Sequence, residues 1–305
     1  MLIDDVERYI ALRRSLGFQL RKPARHLRAF ACVAAKKGEA HIRATTVIEW
    51  AAAAPTLDAR NRRIGDVARF ARFLRAEDSK HEVPPTALFA TPKLRPAPYI
   101  YTPDELVRLL DAAEKLRLHK PNPLRRQTFV MLFGLIAATG LRVSEAINLR
   151  LGDVLPGGVL HIRETKFYKS RLVPLHATVA QALDRYLDVR RRYAGSDDHL
   201  FLSIEGKALH YSTVRCAFLR ILGLAKIAPD RARRPRIHDL RHSFATRVLE
   251  QCDTKRNQVA RHLVALSTYH GHAEIAHTYW YLEATPELMT GIAAAAEALI
   301  AGATP

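Results

Sequence analysis

The chain has 305 residues, 48% apolar and 26% charged, an ordinary globular composition with room for two cores. Forty-eight Lys and Arg against 30 Asp and Glu leave a net charge of +18, and the excess recurs along the whole length, which points to a nucleic-acid partner. Cys32, Cys216 and Cys252 are too few and too scattered for a disulfide framework or a zinc knuckle. Met1–Asp5 lacks the basic and apolar regions of a signal peptide, and the apolar run around 129–138 is too short to span a bilayer. The expectation is a cytoplasmic protein with no membrane partner.

Residues 1–81 read as a helical domain. Val6, Ile10, Leu12 and Leu16 form one helical apolar face, Leu27, Phe30, Val33 and Ala34 a second, and Val47, Ile48 and Ala51 a third. Thr56 is placed to cap a fourth helix with the stripe Ile64, Val67, Phe70, Phe73 and Leu74. Arginines at 60, 62, 63, 69, 72 and 75 cover its other faces, and with the net charge in view they read as a face for phosphates. Residues 82–101 carry Pro84, Pro85, Pro92, Pro96 and Pro98, which prevent long helices and mark an extended linker.

A second domain, 102–305, opens with Thr102-Pro103-Asp104-Glu105, a helix start with Thr as cap, Pro in the first position and acids in the first turn. An apolar helix over 124–139 ends at Gly140. Around the turn signal Gly157-Gly158, the residues Val159, Ile162, Leu172 and Val173 lie in short strand-like runs, predicting a small antiparallel sheet within 149–174. From Val179 the pattern is helical again, through to an Ala-rich tail around Ile292–Ile300. The fold class is therefore mainly α with a small antiparallel β-sheet.

Four segments offer groups suited to phosphate chemistry. Arg142, in Thr139-Gly140-Leu141-Arg142-Val143-Ser144-Glu145, follows a helix-ending glycine; its planar fork either grips phosphate oxygens or forms a surface salt bridge with Glu145. Lys166, in Thr165-Lys166-Phe167-Tyr168-Lys169-Ser170-Arg171, falls between two predicted strands, where a lysine either donates a proton to a leaving oxygen or simply faces solvent. His238 and Arg241 are three residues apart on one helical face, with Leu240, Phe244 and Val248 as the buried stripe and His242 directed elsewhere. His272 follows Gly271 at the start of a short predicted helix, where backbone amides favour an anion. Tyr279 and Tyr281 follow.

Arg142, Lys166, His238-x-x-Arg241, Gly271-His272 and Tyr281, in that order, resemble the active site of the tyrosine recombinases, the phage-integrase family. The likeness covers the whole chain, with 1–81 as a helical core-binding domain, 82–101 as linker and 102–305 as a mixed α/β catalytic domain with a C-terminal helix. It implies cutting and rejoining of double-stranded DNA through a 3′-phosphotyrosine, without metal, ATP or other cofactor. The implied roles are Tyr281 as nucleophile, Arg142 and Arg241 on the non-bridging oxygens, Lys166 as acid for the leaving 5′-oxygen, His238 in proton transfer and His272 as a donor to the phosphoryl group. The family places its tyrosine nine residues after the Gly-His histidine, which selects Tyr281 over Tyr279; Lys169 is the rival to Lys166. His270 stands where the family commonly has Leu. The resemblance also implies a dimer to tetramer on DNA, and the stretch from Ala265-Leu266-Ser267-Thr268-Tyr269 to Glu283–Leu288 resembles mobile-element recombinases, some encoded in groups of three with sister recombinases. Two other readings stay open: a non-catalytic DNA-binding accessory subunit, and a metal-dependent nuclease using His238, His242, His262, His270, His272 and His277.

Overall fold

The computed structural model describes residues 1–86, 88–89, 97–117, 124–163, 170–192, 197–228, 234–251 and 256–271, the side chains of 256–260 excepted. The chain divides into two compact units, Met1–Arg95 and Pro96–Pro305. No helix among the described residues is long and apolar enough to cross a membrane.

The first unit contains α1 (Leu2–Ser15), α2 (Arg21–Lys36), α3 (Ala44–Ala52) and α4 (Leu57–Arg75). Its core joins Val6, Ile10, Leu27, Phe30, Ala34, Val47, Ile64, Val67 and Phe70, residues at helical spacing on each element. Thr56 caps α4 by accepting the Ala59 amide at 3.2 Å. Leu12 and Leu16 depart from expectation, at 43% and 62% exposed. The buried face of α1 is Leu2, Val6, Tyr9 and Ile10, so these two leucines point away from the core. On α4, Arg62 and Arg69 pair with Asp58 and Asp66, Arg60 donates to the Ala54 carbonyl, and Arg63 donates to the Trp50 carbonyl. Arg72 and Arg75 are exposed. Glu82 accepts from Arg43 and the Ala44 amide, so the chain just after α4 is still bonded to this unit.

The second unit opens with α5 (Pro103–Glu114), where Thr102 and Glu105 form a reciprocal capping box. α6 (Arg125–Thr139) is its central helix. Thr128, Phe129, Met131, Leu132, Phe133, Leu135 and Ile136 are all buried, so it is apolar on every side, as a helix packed by α5, α8 and α10 must be. After α7 (Val143–Ile147) come β1 (Val154–Leu155), β2 (Val159–Ile162) and β3 (Arg171–Pro174). They pair antiparallel in the order β1-β2-β3, with Leu160 opposite Val173 and Ile162 opposite Arg171. Gly157 and Gly158 make the first turn at positive φ. Leu160, Ile162 and Val173 face the core, while Leu172 is exposed, the alternation a half-buried sheet requires. α8 (Ala177–Arg192), α9 (Tyr211–Leu224), α10 (Ile237–Glu250) and α11 (Arg256–His270) follow. The tail around Ile292–Ile300 lies outside the described residues.

Two details of this unit set up the site. The first is Tyr101, whose ring is 1% exposed. Its amide donates to Ser243 Oγ at 2.8 Å, and its carbonyl accepts from Arg247, so it is held on α10 from both sides. The second is Gly140, which ends α6 in the left-handed region at φ 62°. A Cβ built there would lie 2.6 Å from His270 Nε2 and 2.7 Å from Phe244 Cδ1. Strain and steric conflict therefore add. Gly140→Ala should lower stability by roughly 2–4 kcal/mol, measured as an earlier urea midpoint of the second unit; an unchanged midpoint would contradict the close approach of His270.

Candidate active site

α10 carries His238 and Arg241 one turn apart. Its buried set is broader than the predicted stripe. Leu240, Ala245 and Leu249 are buried, and so are Asp239, Arg241, His242, Ser243 and Thr246, whereas Phe244 and Val248 are half-buried. The helix is enclosed on several sides, so no single apolar face defines it. Asp239 caps its start, accepting the Arg236 amide at 2.7 Å and the Arg236 guanidinium at 2.8 Å.

Arg241 is 1% exposed. Nη1 donates to the Gly140 carbonyl at 2.5 Å and Nη2 to the His270 carbonyl at 2.9 Å. These are the C-terminal ends of α6 and α11, where helices leave carbonyls without intrahelical partners and carry partial negative charge. The cation thus binds two helix ends together. Arg142 follows Gly140 by two residues and is the N-cap of α7. Its Nη1 donates to Glu145 Oε1 at 2.6 Å, its amide donates to Oε2 at 2.9 Å, and Nη2 lies 3.5 Å from the Gly271 carbonyl. Arg142 keeps 28% of its side chain exposed.

Glu145 is not part of a surface salt bridge. Its side chain is 6% exposed, and it binds both Arg142 and Arg171. Burial alone would raise its carboxyl; the hydrogen bond and charge of Arg171, then the amide and charge of Arg142, outweigh burial and hold it below the usual carboxylate range. Arg171 donates to both Glu145 oxygens, at 3.2 and 2.8 Å, and through Nε to the Tyr269 carbonyl at 2.8 Å. Arg171, Arg241 and Arg142 therefore meet three consecutive carbonyls, those of Tyr269, His270 and Gly271. Arg171 carries no role in the sequence reading, and Glu145 enters it only as one alternative, a surface partner of Arg142. The Arg-x-x-Glu spacing was visible, but spacing does not reveal burial, and the partner Arg171 is 26 residues away.

His238 keeps an open surface toward solvent, yet its ring is crowded by the surrounding chain. That crowding, then the charges of Arg241 and Arg236, outweighs Asp239; with a smaller push from Arg142, it lowers the His238 pKa to about 4. The ring is neutral at pH 7. It meets His242 edge-on, with centroids 4.6 Å apart. His270 is fully buried, stacks on Phe244 at 5.6 Å and lies against Gly140. The structure thus brings Arg142 and Arg241 together at the end of α11, with His238 close enough to feel both charges. Lys166, His272 and Tyr281, with their rivals Lys169 and Tyr279, lie outside the described residues.

Two groups with metal-ligand spacing occur among the described residues, and both are engaged locally. In His41, Asp78 and His81 of the first unit, His81 Nδ1 accepts the Ile42 amide at 3.2 Å, while Asp78 accepts His41 and the Lys80 amide. In Asp197, Asp198 and His199, Asp197 accepts the His199 and Ala208 amides and the His199 ring. Neither includes a histidine of the nuclease reading.

The model of the phage integrase family matches residues 100–287. The chain belongs to that family. It is 38% identical over 296 residues to an integrase/recombinase, y4rB, of Sinorhizobium fredii, covering 93% of each chain. It is 31% identical over 239 residues to the tyrosine recombinase XerD of Brucella abortus biovar 1, covering 77% of this chain and 74% of XerD. In fold it is similar to a XerH site-specific recombinase solved on its difH substrate, with TM-score 0.65, 21% identity, and 90% and 78% of the two chains covered. It is also similar to the Tn1549 transposon integrase solved with transposon right-end DNA, with TM-score 0.67, 17% identity, and 92% and 94% covered. Members of the family are DNA breaking-rejoining enzymes.

Two pH effects follow. Glu145 has a folded pKa below its ordinary 4.5, so the stability it contributes is complete above that value and is lost as pH falls through the folded pKa. Glu145→Gln should be less stable at pH 7 by about 2 kcal/mol or more and should lose less than wild type on acidification below pH 4.5, read from urea midpoints. His238 acts over a higher window. Its folded pKa is depressed, so folding disfavours its protonation and stability declines as pH drops from 6.5 toward 4. Its ring should titrate near 4 by NMR in the free protein, and a midpoint near 6.5 would contradict the crowded, cationic surroundings.

Proposed function

We propose that this protein is a site-specific DNA recombinase that cuts one strand of a duplex by attaching it to Tyr281 and rejoins it to another. The observation that carries this reading is the convergence of Arg142 and Arg241, with a neutral His238 beside them, on the end of α11. The chain from that end runs directly into His272 and, nine residues later, Tyr281.

The chemistry is a transesterification at phosphorus. The Tyr281 hydroxyl oxygen bonds to phosphorus, its proton passing to His238, and the P–O5′ bond breaks. The leaving 5′-oxygen takes a proton from Lys166 and departs as a hydroxyl. Arg142 and Arg241 offset charge on the two non-bridging oxygens as it builds, and His272 adds a hydrogen bond there. A neutral His238 suits the acceptor role, since a ring with pKa about 4 carries a free lone pair at pH 7; an anionic phosphate beside it raises its affinity for the proton it receives. The bond energy stays in the phosphotyrosine, so a 5′-hydroxyl from a second duplex reverses the step without ATP or metal.

The first unit, with the helices of residues 1–81, is in this reading a core-binding domain that grips duplex DNA; the 82–101 linker of the sequence reading is shorter than expected, because Glu82 is bonded to the first unit and Tyr101 packs in the core of the second. Exposed Arg72 and Arg75 on α4 are the core-binding domain's first candidates for phosphate contacts. A dimer to tetramer on DNA is the assembly proposed; among the similar solved structures is a lambda integrase tetramer on a Holliday junction. Mobile-element transfer alongside sister recombinases is the biological setting proposed. It is supported by y4rB and y4rE, integrase/recombinases of one Sinorhizobium strain at 38% and 36% identity.

A duplex nicked next to the cleavage site traps the covalent step. Wild type should form a protein–DNA adduct that persists in excess chelator, and Tyr281→Phe should form none while binding DNA with nearly unchanged affinity. Adduct in Tyr281→Phe would reassign the nucleophile. Loss of adduct with chelator would favour a metal nuclease, and no adduct with wild type would favour an accessory subunit.

A further inference from the structure

Arg171 is a largely covered cation to which the family resemblance gives no task. It opens β3, and 11% of its side chain is exposed. Its two terminal nitrogens bind both oxygens of Glu145, a forked pairing only a guanidinium makes. Its third nitrogen, Nε, holds the Tyr269 carbonyl. The side chain also lies against Gly271. A Cβ there would come 2.9 Å from Arg171 Nη1 and 3.3 Å from Cζ, and Gly271 sits at φ 62°. The glycine of the Gly-His pair thus has two physical reasons: its backbone conformation, and the guanidinium occupying its side-chain space.

These contacts reach three pieces of chain that bear proposed site residues. Through Glu145, Arg171 is bonded to the residue that holds Arg142. Through Tyr269 and Gly271 it is fixed to the end of α11, one residue before His272. Its own backbone is paired with Ile162 in the sheet, and Lys166 is five positions earlier in the sequence. A strand end pinned at Arg171 bounds where a residue five positions away can reach.

We propose that Arg171 is a positioning residue for DNA cleavage. It touches no DNA itself; it ties the start of β3 to the Arg142–Glu145 turn and to the Gly271 end of α11, and so fixes the point from which the sequence leads back to Lys166, the residue read as donor to the leaving 5′-oxygen. This rests on the reading of Lys166 as the acid for that oxygen.

The test uses leaving-group chemistry. When the bridging 5′-oxygen is replaced by sulfur, the P–S bond breaks to release a thiolate, which is stable enough to leave without a proton. A defect in proton delivery then disappears, whereas a defect in charge stabilisation or folding remains. Full-length wild type, Lys166→Ala, Arg171→Ala and Arg171→Lys are assayed on nicked duplexes with oxygen or sulfur at that position, with melting temperature and DNA affinity measured alongside. On oxygen, Lys166→Ala and Arg171→Ala should each cleave about 10²-fold or more slowly. On sulfur both should return to within about tenfold of wild type. Arg171→Lys keeps the charge and loses the fork; it should show a smaller defect with the same rescue, and it carries the test if Arg171→Ala melts too early to assay.

Rescue of Lys166→Ala without rescue of the Arg171 variants overturns the proposal, as does wild-type cleavage on oxygen by Arg171→Ala. Failure to rescue Lys166→Ala instead overturns the assignment of Lys166.

Discussion

The guanidinium of Arg241 binds the carbonyl ends of α6 and α11, and Arg142 and Gly271 both follow closely on the two carbonyls it holds. Burying a cation is costly unless it is well compensated. Here two helix ends supply negative potential from carbonyls that would otherwise lack partners. The arrangement needs α6 to end sharply and to leave room for His270, and Gly140 meets both needs at φ 62° with His270 against its Cα. Arg142 follows one of the bonded carbonyls by two residues and His272 follows the other by two.

Charge in this region is unevenly balanced. Arg142, Arg171 and Arg241 converge on three consecutive carbonyls, and one carboxylate, Glu145, is bonded to two of them. Crowding by the surrounding chain, and after it the charges of Arg241, Arg236 and Arg142, keeps His238 neutral. A phosphodiester is the kind of group that restores the balance, because its non-bridging oxygens bring a full negative charge to a site already shaped by donors.

Much of the fold was legible because its signals are local. Thr102, Pro103 and Glu105 lie within one turn, and their capping box formed as spaced. Gly140 and the Gly157-Gly158 turn are punctuation set by backbone conformation. Periodicity misled where it could not report what lay opposite. Leu12 and Leu16 continue an apolar spacing but face away from the core. Phe244 and Val248 suggested one stripe on α10, a helix that is enclosed on several sides. Arg142, His238 and Arg241, singled out by their order along the chain, lie near one another in space. Glu145 enters the sequence reading only as one alternative, a surface partner of Arg142, because an i,i+3 spacing is the same for exposed and buried pairs. Arg171 was passed over because its contacts with Tyr269 span 98 residues of sequence, and no local pattern records them.

Tyr101 has a practical consequence for anyone cutting the chain into pieces. Its amide and carbonyl are both bonded to α10, and its ring is sealed in the core of the second unit. Ser243, which accepts that amide, in turn donates to the Asp239 carbonyl on the same helix. A fragment beginning at the capping residue Thr102 looks complete by secondary structure, yet it strips α10 of this strap and opens a ring-sized void beside it. A cut that keeps this packing lies upstream of Tyr99, whose ring packs edge-on against Tyr101 at 4.9 Å.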